Sequence, residues 1–100
     1  MTIEFKKEQD TVTVLLNGRL DNASVNNITQ ELEPLKHHKD KHVIFDCSGL
    51  QFISLSGLRL FSSLQKALTM RGCYFTLNNV AATILQIISV TGFAALLNVE

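Results

Sequence analysis

The sequence predicts an α/β sandwich: a mixed central β-sheet with helices packed against it, in the order β-β-α-β-α-β-α plus a short C-terminal element. Three observations carry this. Runs with strand-type alternation take turns along the chain with runs whose apolar residues recur every three or four positions. One run, Val43–Phe45, is continuously apolar, as expected of a central strand covered on both faces. Hydrophobic residues fill 46% of the 100 positions, enough for one core in a chain too short to divide readily, so a single domain over residues 1–100 is expected.

The first strand is read in "TIEF" and the second in "TVTVLL", with "KKEQD" between them as a hairpin turn. In the second, Val12, Val14 and Leu16 share one side and Thr11, Thr13 and Leu15 the other. Gly18 in "NGRLD" is expected to break that strand, and Asp21 or Asn22 to cap a helix by accepting a free backbone N–H. Val25, Ile28, Leu32 and Leu35 form one helix face. Pro34 lacks a backbone donor and should end or kink the helix just before it. "KHHKDKH" reads as a polar connection into the "VIF" strand, and "DCSGLQFI" as the path out of it. From Ser56 a second helix is expected, with Leu60, Phe61, Leu64, Ala67 and Leu68 inward and Gly72 in its C-terminal cap region. "CYFTL" is the fourth strand. "NNVAATILQIISV" is the third helix, with Ile84, Leu85, Ile88 and Val80 or Ala81 on one face, and "TGF" breaks it before a tail that suits a short helix or an edge strand.

Composition excludes several functions. Lys and Arg total 9 and Asp and Glu total 9, so the formal charge is zero. A nucleic-acid surface needs a basic face to displace counterions, and this chain has no excess of cations to build one. No apolar run reaches the length of about 18 residues that suggests a membrane span, and "MTIEFKKEQD" has no apolar core of signal-peptide type. Cys47 and Cys73 lie in apolar, strand-like surroundings and read as reduced, buried thiols of a cytoplasmic protein. His37, His38 and His42 sit on one polar loop without a cysteine, a pattern that favours a solvated connection over a metal site. Neither a metal nor a cofactor is expected.

The stretch that invites a functional reading is "SLSGLRLF", Ser54–Phe61. A nucleophile elbow needs small residues two before and two after the serine; for Ser56 those positions are Ser54 and Leu58. The histidines enter the "VIF" strand at its N-terminal end, whereas the serines follow its C-terminal end, so no base is within reach. No Gly-rich phosphate loop is present, and an enzyme is not expected. Capping by Ser54 or Ser56 explains one serine. It does not explain Gly57, which costs about 1 kcal/mol relative to alanine in a helix and suggests close approach to the backbone. A modification switch explains more. A phosphate here carries about −1.5 to −2 charges. It would meet a helix N-terminus that favours a simple anion by about 0.3–1 kcal/mol, with Arg59 three residues on.

Taken together, "TVTVLLNGRLDNAS", "HVIFDCSGLQFISLSGLRLF" and "ALTMRGCYFTLNNVAATILQIISVTGF" resemble the STAS domain family, most closely its stand-alone anti-sigma factor antagonist type. The first stretch is similar to the family's strand, Gly-x-Leu-Asp and first helix. The second is similar to its strand ending in Asp, then Asp-Ser-Ser-Gly-Leu opening the second helix. The third is similar to its Gly-strand, Asn turn, third helix and Thr-Gly break.

The resemblance implies a bacterial, cytoplasmic protein-interaction module in transcription regulation. Such a module binds an anti-sigma factor that is also a GHKL-type serine kinase, and a PP2C-type phosphatase reverses the phosphorylation, with neither nucleic-acid binding nor membrane insertion. It implies phosphorylation at Ser56 and a partner-binding edge made by Asp21, Ser54, Leu55, Ser56, Gly57, Leu58 and Arg59. Ser54 and Leu55 stand where the family has Asp and Ser, which removes an acid beside the acceptor serine. The alternative is a STAS subunit of a phospholipid-transport ABC system that is not phosphorylated.

Overall fold

A computed structural model of the chain describes residues 1–37 and 41–100. Of the polar connection before the third strand, His38, Lys39 and Asp40 lie outside the described residues, so the reading of His38 lies there too. The elements are β1 (Thr2–Glu8), β2 (Thr11–Leu20), α1 (Asn22–Leu32), a 3-10 turn (Glu33–His37), β3 (His42–Ile53), α2 (Leu55–Met70), β4 (Tyr74–Asn78), α3 (Ala82–Val90) and a short 3-10 turn (Phe93–Ala95). The order is β-β-α-β-α-β-α, as the periodicities predict.

The four strands form one mixed sheet in the order β1-β2-β3-β4. The hairpin pair β1–β2 is antiparallel, and β2–β3 and β3–β4 are parallel. The chain thus moves steadily across the sheet, and right-handed crossovers place the connecting helices on a single face. Val12, Val14, Leu16, Val43, Phe45, Cys47, Phe75 and Leu77 point into that layer and join Ile28, Leu32, Phe61, Leu64, Leu68, Ile84 and Ile88 in one core. Phe45 sits at its centre, edge-on to Phe61 and Phe75 with ring centroids 5.2 and 4.6 Å away.

Several expectations are corrected. β3 is not covered on both faces. Val43 and Phe45 are fully buried, while Ile44 and Asp46 lie half-buried on the opposite face and, with Thr11, Thr13 and Leu15, line an open concave surface. β2 does not end at Gly18. It runs to Leu20 by absorbing register irregularities at Leu15/Asn17 and Gly18/Arg19, with Gly18 at φ +109°. β3 likewise does not stop at Phe45 but runs 12 residues to Ile53. The weak strand formers Asp46 and Gly49 are carried by pairing to Leu15 and Asn17 of β2, with Ser48 in the irregularity between them. Gly49 opposes Asn17, and a Cβ there would stand 2.8 Å from the Leu16 carbonyl oxygen. In α3, Ile84 and Ile88 are buried but Leu85 is exposed.

The hairpin turn is also shorter than "KKEQD": β1 runs through Lys6, Lys7 and Glu8, which pair with Thr13, Val12 and Thr11, and only Gln9 and Asp10 turn. Other local signals hold. Asp21 caps α1 in a reciprocal box with Ser24. The α-helix gives way to a 3-10 turn at Glu33, next to Pro34. α2 ends at Arg71–Gly72 with the glycine at φ +75°. The tail is a 3-10 turn followed by a single parallel bridge from Val99 to Leu77, so it contains a trace of each expected form. Cys47 and Cys73 are both free and buried, and burial pushes the Cys47 thiol up to about 12. No described helix is long and apolar enough to cross a membrane.

Candidate functional site

Parallel pairing brings the C-terminal ends of β2 and β3 together, with Leu20 opposite Ile53. The chain turns into a helix directly after each: Asp21 caps α1 and Ser54 caps α2. The Ser54 amide donates to the Leu20 carbonyl at 2.8 Å, which ties the two turns to each other. Two helix N-termini, each with free backbone donors and a positive dipole end, therefore open side by side at one edge of the sheet.

Of the two serines, Ser54 is the cap; its Oγ accepts from the Gly57 amide at 3.2 Å. Ser56 lies within the first turn of α2 and is half-buried. Its Oγ donates to Asn22 Oδ1 at 2.6 Å, across 34 positions of sequence. Since that bond uses its only proton, the 2.9 Å contact between the two hydroxyls has Ser54 Oγ donating to Ser56 Oγ. Gly57 N–H, Ser54, Ser56 and Asn22 thus form a directed chain ending on an amide oxygen. That oxygen is an acceptor with no capacity to take up a proton near neutral pH, so the hydroxyl is oriented without being activated. His42 stands at the start of β3, the full length of that strand from Ser54, with its Nε2 3.3 Å from Thr76 Oγ1. Among the described residues no group of three or more His, Cys, Asp or Glu could hold a metal ion.

Gly57 and Leu58 are turned inward. Leu58 is fully buried, and a Cβ on Gly57 would meet Ile53 Cγ1 at 2.9 Å and Leu20 Cγ and Cδ2 at 3.0 Å. The close approach inferred at Gly57 is therefore made by this chain's own strand ends. Gly57→Ala is expected to destabilise the protein by about 1 kcal/mol net. Overpacking costs about 1–3 kcal/mol and outweighs the gain of about 1 kcal/mol in helix propensity. Chemical denaturation measures this, and a stabilised variant would show that Leu20 and Ile53 yield freely.

The surface at this edge is made by Asn22, Leu55, Ser56 and Arg59. Leu55 is 47% exposed, an aliphatic side chain beside the hydroxyl. Arg59 is exposed and lies three residues after Ser56, on the same helix face. Bonds from the Ser24 backbone and hydroxyl hold the Asp21 carboxyl below the usual carboxylate range, with Arg19 adding a smaller push, so it is ionised at neutral pH. Asn22, which holds Ser56, appears in the sequence only as a rival cap to Asp21. Its contact depends on strand pairing, which no local pattern displays.

A family model described as Mlab, STAS domain, matches residues 3–98. The chain belongs to the STAS domain family. Solved structures share its fold at low sequence identity. The anti-sigma factor antagonist SpoIIAA in its unphosphorylated form superposes with a TM-score of 0.81 at 19% identity, over 99% of this chain and 88% of that one. The Bacillus cell fate determinant SpoIIAA in the phosphorylated form gives 0.74 at 19%, over 99% and 91%. An anti-sigma factor antagonist from Mycobacterium paratuberculosis gives 0.88 at 15%, over 99% and 84%. No curated protein matches the sequence. In this STAS domain the paired helix N-termini and the Ser56–Asn22 bond sit on a frame common to these structures.

Proposed function

We propose that this STAS domain is an anti-sigma factor antagonist-like interaction module. It binds an anti-sigma factor serine kinase of the GHKL type through the edge around Ser56, and phosphorylation of Ser56 switches that binding off. The observation that carries the reading is the placement of Ser56. A half-buried hydroxyl is oriented by Asn22 at the mouth of two adjacent helix N-termini, with an amide oxygen rather than a base as its acceptor. A phosphate there is welcomed by the helix ends and by Arg59, so the modified domain stays folded while its surface changes from neutral to dianionic. Likeness to SpoIIAA, solved in both unphosphorylated and phosphorylated forms, supports a fold that tolerates the modification. Asp21, Asn22, Leu55, Ser56 and Arg59 form the contact edge, with Ser54 as cap and Gly57 and Leu58 as its packed support. A PP2C-type phosphatase would complete the cycle.

The test is phosphate transfer. Incubated with ATP and the GHKL-type kinase encoded nearest to it, the protein should gain one phosphate by intact-mass spectrometry, and Ser56→Ala should gain none. Phosphate retained by Ser56→Ala would move the acceptor to Ser54 or elsewhere.

The second reading, a non-phosphorylated STAS subunit of a phospholipid-transport ABC system, is favoured by one specific feature. Beside Ser56 the chain presents the uncharged cap Ser54 and the exposed aliphatic Leu55, a surface suited to apolar contact with a protein neighbour. The matching family model is described as Mlab, STAS domain. Stable co-purification with an ABC ATPase, together with absence of phosphate on protein from its native cells, would decide for this reading.

A further inference from the structure

We propose that the outer edge of β1 is a self-association surface, through which a second copy of this chain adds its own β1 antiparallel to form a continuous eight-stranded sheet. β1 is the end strand of the sheet and pairs only with β2 among the described residues. An exposed edge of seven residues is a template for another strand, and proteins usually blunt such edges with charges. Here the charges complement each other under one symmetry operation.

Two strands related by a two-fold axis normal to the sheet keep their faces, so residues opposite one another are separated by an even number of positions. Registers centred on Glu4, Phe5 or Lys6 give the largest overlaps. Centring on Glu4 sets Glu4 against itself. Centring on Lys6 sets Lys6 against itself and Glu4 against Glu8. Centring on Phe5 uses the whole strand, Thr2–Glu8, and sets Glu4 opposite Lys6 of the second copy, twice. It also places Phe5 against Phe5, an aromatic cross-strand pair of the favourable kind, and Ile3 beside the aliphatic stem of Lys7. Phe5 is 49% exposed in the single chain. It borders a groove of about 340 Å³ lined also by Val12, Pro34 and Leu35, so apolar surface waits beside the edge on the helix-bearing face. The charge pattern therefore selects the one register that also covers Phe5 and pairs the full strand.

Sedimentation velocity on the purified protein, from about 10 μM to about 1 mM at low ionic strength, should show a monomer–dimer equilibrium that weakens at about 1 M salt. Glu4→Lys should weaken dimerisation at least about tenfold, because it sets like charges opposite each other at two places. The charge swap Glu4→Lys with Lys6→Glu should restore it to within about threefold of the parent. Within the chain Glu4 opposes Leu15, so Glu4→Lys should melt as the parent does; Lys6 opposes Thr13 and favours the nearby Asp46 charge, so the swap should stay folded and melt slightly lower. A protein that is monomeric throughout, a dimer indifferent to Glu4→Lys, or a swap that fails to restore pairing would each overturn the proposal.

Discussion

Ser56→Asp should, on the proposed function, weaken binding to an anti-sigma factor kinase at least about tenfold while the domain stays folded. The expected loss comes from the partner's side. A surface fitted to a neutral, shallow helix N-terminus must strip water from a carboxylate or meet it with a charge of its own, and an uncompensated buried charge is costly. A true phosphate is the larger case: a loss of about 4 kcal/mol corresponds to roughly a thousandfold in affinity. Inside the domain the same change is mild. The new carboxylate stands where backbone donors and the dipole favour it, and Asn22 can turn its amide to donate through Nδ2 where Oδ1 now accepts from Ser56. Titration calorimetry with the purified partner, alongside a melting curve of the variant, separates the two effects. Unchanged affinity would sink the charge-exclusion argument, and an unfolded variant would place Ser56 among the structural residues.

Phe45→Ala should cost about 3–5 kcal/mol, the range for truncating a buried phenylalanine. That is a large part of the 5–15 kcal/mol typical of a whole domain. Phe45 is fully buried on the central strand and holds both Phe61 of α2 and Phe75 of β4 in edge contact. Its removal leaves a cavity between a strand and a helix that other packed side chains keep from closing. The neighbouring Ile44→Ala should cost only about 1 kcal/mol, since Ile44 points to the open face and is half-buried already. Urea denaturation of the pair measures how one-sided this sheet is. Equal losses would mean that the second face is covered in solution.

Much of the fold was legible because its signals are local. Helix faces at Val25–Leu35 and Leu60–Leu68, the Asp21 cap, Pro34 and Gly72 each act within a few residues, so their patterns survive in the one-dimensional record. The extents of β2 and β3 were misjudged for the opposite reason. Gly18, Asp46 and Gly49 are poor strand residues taken alone, and pairing with Leu50, Leu15 and Asn17 of the neighbouring strand keeps them extended. The open second face of the sheet was hidden in the same way. A continuous "VIF" run fits two covered faces, yet Ile44 is left half-exposed because every crossover travels the same way across the sheet and leaves its helix on one side.

At the site the division is sharper. The sequence by itself placed a serine and a glycine at the start of α2 and an aspartate at the start of α1, since caps and helix starts are written in adjacent residues. Contacts between distant segments determine that the two starts face one another, that Ser54 is the cap, that Ser56 donates to Asn22, and that Gly57 makes room for Leu20 and Ile53. The cause is the parallel pairing of β2 with β3. It aligns Leu20 with Ile53, so both chains emerge at one edge and residues 34 positions apart become hydrogen-bond partners.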